Sequence, residues 1–297
     1  RIANLAKSKG YDPEDKVSVP LAKNMAERVE GLISAVAPQI VGSGIVERIA
    51  ELEKEYGSQD WRVALKIALE VAQEKFCKFR DKKEAMEVGI RVGLAYVTVG
   101  VVASPLEGFV ELKIKNRADG KPYFCLMYSG PIRSAGGTAG AFSVIIADFV
   151  RKHMGYYPYD PTEEEIKRTF TELTDYHERV TNLQYYPSEE EAEFMTKHLP
   201  VQISGDASEK YEVSNYKGLP RIETDRIRSG FCLVMAECLC LKAPKLWKRL
   251  SKWAKDMGLE HWSFLEEFIN LQKKIKAKGE ISSSSENKIT PDYTYIK

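Results

Sequence analysis

Between Phe231 and Leu241 the chain reads FCLVMAECLCL, and Glu237 is the one charged residue in the run. A helix apolar on nearly all sides has no face to offer water, so it must lie at the centre of a fold and be enclosed by other elements. The same placement makes Cys232, Cys238 and Cys240 small core hydrophobes. The helix opens from RIRSG and is expected to pause at Pro244 and resume beyond it, because proline gives no backbone N–H to a helix interior. A chain of 297 residues, 43% apolar and 10% aromatic, has the material for such an enclosure, as one large domain or two modest ones. The five cysteines are odd in number and contain no C-x-x-C pair, so neither a disulfide framework nor a structural zinc site is indicated.

The shell can be read in order. Arg1 to Pro20 is polar and turn-rich, with a bend expected at Asp12-Pro13. Amphipathic helices follow: one from about Leu21, one carrying Ile45, Ile49, Leu52 and Tyr56, one from Trp61 to Phe76, and one from Glu84 to about Val101. The character changes at Ser104-Pro105. GFVELKIK and YFCLMY flank Asp119-Gly120, which predicts an antiparallel hairpin over residues 108–128. A mostly buried helix then ends at Gly155. PTEEE and PSEEE each place a hydroxyl three residues before a glutamate, Thr162 with Glu165 and Ser188 with Glu191, which is the capping-box signature of a helix start. A third strand is expected around residues 200–213, and HWSFLEEFINL gives a last helix. Lysine and serine without periodicity predict a linker from Lys273 to Lys297. The expectation is therefore an α+β fold, predominantly helical with a small sheet of about three strands. Its regions would be residues 1–100 (helical), 101–270 (α+β with the long buried helix) and 271–297 (polar linker).

Between the hairpin and its helix lies YSGPIRSAGGTAGA, residues 128–141. A strand, a glycine-rich turn and a helix start together form the arrangement in which backbone N–H groups converge on an anion. Gly136 and Gly137 would admit a phosphate closely, with Arg133, Ser134 and Thr138 as further donors. The loop is neither a Walker A sequence nor G-x-G-x-x-G, although GTAG satisfies the G-x-x-G of KH modules. The competing reading is that the glycines serve close packing of helix on sheet. A second cationic feature is APKLWKRLSKWAKDM, which at helical spacing puts Lys245, Lys248, Arg249, Lys252 and Lys255 on one face. That face is either a track for a phosphate backbone or the solvated side of an amphipathic helix. Arg221, Arg226 and Arg228 are interspersed with Glu223 and Asp225, either as an ion-pair network or as a binding patch.

Lys and Arg total 44 against 43 Asp and Glu, so no global positive field favours nucleic acid, and any such binding must come from local patches. No D-x-D offers paired carboxylates for two-metal chemistry, His177-Glu178 lacks the second histidine of H-E-x-x-H, and no G-x-S-x-G is present. The four histidines, at 153, 177, 198 and 261, are scattered. No stretch has the ~18 uncharged apolar residues of a membrane span, and the N-terminus is not signal-like. These features suggest a reducing, intracellular setting. The chain opens on Arg1 and ends in polar sequence, which reads as a segment of something longer.

Several stretches converge on one family. GPIRSAGGTAGAFSV, YHERVTNLQYYP, LPVQISGD, YEVSNYKGLPRIETDRIRSG and APKLWK, with VPLAKNMAERVEGL and GIVERIAELEKEYG ahead of them, resemble the large subunit of the archaeal D-family DNA polymerase over roughly residues 10–270. Gly140, Asp225 and Ser229 depart from the glutamine, asparagine and glycine of that family's pattern. The resemblance implies a template-directed replicative polymerase in an archaeal cytoplasm, acting on primer–template DNA with a small subunit that carries a 3′–5′ exonuclease, and with a sliding clamp as a further partner. It also implies Mg2+ for the whole enzyme and polymerase carboxylates further along the large subunit. This segment would carry no catalytic residue, metal or cofactor and would include a KH-like domain. Its local role would be DNA-backbone binding and subunit assembly, through Arg133, Ser134, Gly136, Gly137, Thr138, Lys245, Lys248, Arg249 and Lys252. Two other roles remain open: a purely structural assembly module, and a nucleotide or phosphate-metabolite domain built on the glycine loop.

Overall fold

The computed structural model describes residues 2–11 and 22–286, so the Asp12-Pro13 bend and residues 287–297 lie outside the described residues. The central helix is present and runs without interruption through α9 (Ser229–Cys232), a π-helical stretch Leu233–Cys240 and α10 (Leu241–Leu250). Every residue from Ser229 to Cys240 is buried, and all five cysteines are free thiols. Pro244 does not break the helix; it sits inside α10. The Cys240 carbonyl, which an N–H at position 244 would have served, instead accepts from the side-chain amide of Gln272 at 3.1 Å. Gln272 lies on α11 (Phe264–Glu286), so one orphaned carbonyl ties the last helix to the central one. That helix continues to Glu286, through the first half of the stretch read as a linker. The Gln272 anchor helps explain why the helix passes a lysine-rich segment that has no apolar period of its own.

Around this axis the N-terminal helices α1 (Ile2–Ser8), α2 (Met25–Ile33), α3 (Ile45–Tyr56), α4 (Trp61–Ala72) and α5 (Lys82–Val97) precede a π-helical turn, Ser104–Gly108. Residues before and after position 100 contribute to one contiguous hydrophobic core. Trp61 of α4, for example, stacks on Phe142 of α6 (Gly137–His153), with ring centroids 4.1 Å apart.

β1 (Phe109–Asn116) pairs antiparallel with β2 (Pro122–Tyr128), as the Asp119-Gly120 signal predicts, and Gly120 has φ +79° at the turn. β3 (Gln202–Gly205) pairs parallel with β2, so the sheet is mixed, in order β1-β2-β3. Between α6 and β3 run α7 (Glu163–Arg179) and α8 (Glu189–His198), each opened by the complete capping box foreseen at Thr162 and Ser188. The third strand is shorter than expected. Beyond Gly205 the chain pairs irregularly with residues 225–227: the Glu209 N–H bonds the Ile227 carbonyl at 3.2 Å, the Val213 N–H the Asp225 carbonyl at 2.8 Å and the Ile227 N–H the Tyr211 carbonyl at 2.9 Å, with an isolated bridge between Glu212 and Arg226. Arg168 donates to the carbonyls of Tyr216 and Thr224 (2.9 Å each), and Asp175 accepts from the Ser214 N–H at 2.6 Å.

α9 approaches the end of β2 with no side chain between the two backbones. A Cβ at Gly230 would lie 2.1 Å from the Tyr128 carbonyl oxygen. Gly230→Ala is therefore expected to cost about 3 kcal/mol or more in denaturant unfolding. Gly31→Ala, in α2 with nothing within 4 Å of the new methyl group, should be neutral or slightly stabilising.

Candidate functional site

The glycine-rich segment resolves into three parts. After β2 a 3-10 turn covers Gly130–Ala135, Gly136 reverses the chain, and α6 starts at Gly137. Gly136 has φ +72° and ψ 144°, a conformation essentially confined to glycine. No side chain caps the start of α6, so the N–H groups of its first turn have no side-chain partner at the positive end of the helix dipole. Gly137 faces inward. A Cβ there would lie 2.5 Å from the Glu237 carbonyl oxygen and 2.8 Å from Lys242 Cε, while one at Gly140 would lie 2.7 Å from Cys238 Sγ. The packing reading of the loop thus holds for Gly137 and Gly140, which bring α6 onto the π-helical stretch, and beside them the helix start has no side-chain cap. GTAG is the first turn of α6 rather than a free loop, and Gly140 is buried within it.

Next to that helix start is a cleft of about 500 Å3, lined by Gly136, Gly137 and Thr138 on one side and by Lys242, Lys245 and Arg249 on the other. Trp61, Tyr96, Val97 and Val99 supply its apolar wall, and no carboxylate lines it. Lys242 and Lys245 make no ion pair or hydrogen bond with any described residue, and the Arg249 guanidinium lies over the Trp61 ring, 4.5 Å from its centroid. α10 brings the three cations together because 242, 245 and 249 share one helical face. Lys242 was missed in reading the sequence. The signal was there, three residues ahead of Lys245, but the apolar run just before it marked that position as core.

Other expected residues lie elsewhere. Arg133 is outside the cleft; its guanidinium bonds the nearly buried Glu237 carboxylate at 3.0 Å, and that carboxylate also accepts from the Gln184 N–H at 2.9 Å. Ser134 hydroxyl meets Ser104 hydroxyl at 2.6 Å and donates to the Pro131 carbonyl at 2.8 Å. Lys248 is exposed but does not line the cleft. α10 ends at Leu250, so Lys252 and Lys255 leave the helical face predicted for them. Lys252 instead lines an adjoining cleft of about 460 Å3 that also holds Arg62, Asp60 and Asp256.

The arginines around residue 225 form a largely internal network. Arg228 is buried against Glu172 at 2.6 Å, and Arg221 pairs with Asp160 and Glu165, each at 2.6 Å. Arg226 is exposed and donates to the Glu209 carbonyl. Burial disfavours charge on Arg228, yet the adjacent Glu172 carboxylate holds its pKa above the usual arginine value. Among the described residues no group of three or more His, Cys, Asp or Glu is arranged to hold a metal ion, and no helix is long and apolar enough to cross a membrane.

Fold and site together define an α+β module whose distinctive surface is a cationic, carboxylate-free cleft at an uncapped helix start. The chain belongs to the family described as DNA polymerase II large subunit DP2, N-terminal, whose model matches residues 1–271. It is similar to proteins named DNA polymerase II large subunit from three archaea. It is 52% identical to that of Nanoarchaeum equitans over 96% of this chain and 23% of that protein. To that of Methanosarcina barkeri it is 42% identical over 100% and 24%, and to that of Thermococcus kodakarensis 41% over 97% and 15%. The chain thus spans about a quarter or less of the length of these relatives.

The different pairing of these cations has a measurable consequence. Arg133→Ala, which takes one of two partners from the Glu237 carboxylate, should lower unfolding stability by about 1–2 kcal/mol. Lys245→Ala, at an exposed position with no ion pair to a described residue, should stay within about 0.5 kcal/mol of the parent in the same denaturation experiment.

Proposed function

We propose that this chain is the non-catalytic N-terminal module of the large subunit of a replicative archaeal DNA polymerase, and that it grips DNA by the phosphate backbone. The observation that supports this is the meeting of the bare α6 start with Lys242, Lys245 and Arg249 in one cleft free of carboxylates. Unpaired cations and an uncapped helix start lining one space suit a phosphodiester oxygen. One aromatic ring of the lining is already engaged, since Trp61 has Phe142 stacked on it and Arg249 over it. Bases find no free platform on that ring, which favours sequence-tolerant binding.

On this reading template-directed synthesis belongs to the whole polymerase, with its Mg2+ and catalytic carboxylates in the remainder of the large subunit. A small nuclease subunit and a sliding clamp are the expected partners, and the region from α5 to β3 is the KH-like domain. The packing role of Gly137 and Gly140 supports a second reading, that of a structural assembly module without DNA contact.

Binding of primer–template DNA to the chain across a salt series separates the two. Changing Lys242, Lys245 and Arg249 together to Ala should weaken binding and reduce the slope of log K against log salt by about two to three. An unchanged affinity and slope would favour the assembly module, and nucleotide incorporation by these 297 residues alone would overturn the non-catalytic assignment.

A further inference from the structure

On the other side of the segment that follows α5 lies a groove of opposite character. Val97 and Val99 face the cationic cleft, whereas Val102 lines a cavity of about 910 Å3 between α2 and α3. Leu32, Val46 and Val102 form its apolar lining, and Glu27, Glu30 and Glu47 are its acids. Apolar surface continues outside it: Val102 is 58% exposed, and Val41, adjacent to the lining residue Gly42, is 59% exposed.

The acids are not neutralised from within. Glu27 accepts from the Lys23 backbone N–H at 2.7 Å and Glu30 from the Gly42 N–H at 2.9 Å, both uncharged donors. Glu47 makes no ion pair with a described residue. The single cation in the lining, Arg28, pairs with none of these acids and donates to the carbonyls of Ala95 (3.1 Å) and Val101 (2.7 Å). Three carboxylates against one guanidinium leave a formal charge of −2. A phosphate backbone is repelled by such a groove, and a purely apolar ligand leaves its charge unanswered.

We propose that this groove docks a basic, amphipathic segment of a partner polypeptide, with apolar side chains in the Leu32–Val46–Val102 floor and Lys or Arg against the three glutamates. A groove between two helices receives such a segment by apolar anchors at helical spacing, while the charged rim steers its approach and fixes its register. The proposal does not depend on DNA binding at the cationic cleft.

The test uses the 297-residue chain and two short synthetic amphipathic peptides with identical leucine positions, one carrying lysine on its polar face and the other glutamate. The lysine peptide should shift the valine methyl resonances of Val46 and Val102, and the glutamate peptide should not. Glu47→Lys should weaken the lysine peptide about tenfold and leave the salt slope of DNA binding unchanged. Glu47 is exposed and unpaired, so this variant keeps the fold; Val102→Asp, at a second exposed position, should also weaken binding. Equal binding of both peptides, shifts confined to Val97 and Val99, or indifference to Glu47→Lys would each overturn the proposal. So would self-association of the chain that Glu47→Lys abolishes, since that assigns the groove to a second copy. Methyl shifts at Val46 and Val102 on removal of residues 1–21, with no response to peptide, would assign it to the chain's own N-terminal residues and overturn the proposal equally.

Discussion

The contact on which the molecule depends is the one between the start of α6 and the π-helical stretch of the central helix. At Gly137 there is no room for a single methyl group, because the Glu237 carbonyl and the Lys242 stem occupy the space. One turn on, Gly140 meets Cys238 in the same way. This approach closes the core on the side of Phe142, whose ring carries Trp61 and, beyond it, Arg249. It also fixes where the uncapped N–H groups of α6 point and which side chains of α10 stand beside them. Packing and site are one arrangement here, so a substitution that loosens the first misplaces the second.

Charges that are not at the surface have structural work of a different kind. Glu172 is fully buried and bonds both Arg168 and Arg228, which are themselves buried. Isolated, any of the three would be strongly destabilising; together with the carbonyls they reach, their hydrogen-bonding capacity is used. Arg168 thereby holds the far part of the loop that follows β3, through the carbonyls of Tyr216 and Thr224. Asp148 plays a similar part on α6. Burial favours its neutral form, but bonds from His261 at 2.6 Å and Trp262 at 2.8 Å, with the charge of Arg151, hold its pKa below the usual carboxylate range. That cluster fixes the approach to α11.

What the sequence discloses and what it conceals follow the range of the interactions. The hairpin, the two capping boxes and the buried run are set by residues within a few positions of one another, and all appear as read. The carbonyl left without a helical donor by Pro244 is met by Gln272, an amide in a different helix, and no local pattern announces it. β3 ends at Gly205 and the chain beyond it bonds residues 225–227, Val213 N–H to the Asp225 carbonyl and Ile227 N–H to the Tyr211 carbonyl, while Arg168 and Asp175, upstream on α7, meet the backbone of Tyr216, Thr224 and Ser214. Arg133 looked like the natural anion donor of the glycine loop, yet its partner, Glu237, lies 104 positions away. Lys242 was hidden for the converse reason, since it follows an apolar run and only the tertiary contact turns it toward α6. Sequence thus shows that a cationic site is available in this region, while folding decides which cations are consumed in pairing.

That distinction also explains how a chain of formal charge +1 can present strong local fields. Arg221, Arg168 and Arg228 are matched to carboxylates and contribute little beyond their surroundings. Unmatched groups of opposite sign line two different hollows: Lys242 and Lys245 one, and Glu27, Glu30 and Glu47 the other, with residues 97–102 between them. At about 0.1 M salt the screening length is roughly 10 Å, so each hollow acts on what lies against it and the sum over the chain is felt by neither. A phosphate backbone settling at the cationic cleft would be turned from the acidic groove by the same arrangement that draws it in. The near-zero total of the chain thus says little about either surface, and the short valine-rich segment of residues 97–102 lies between them.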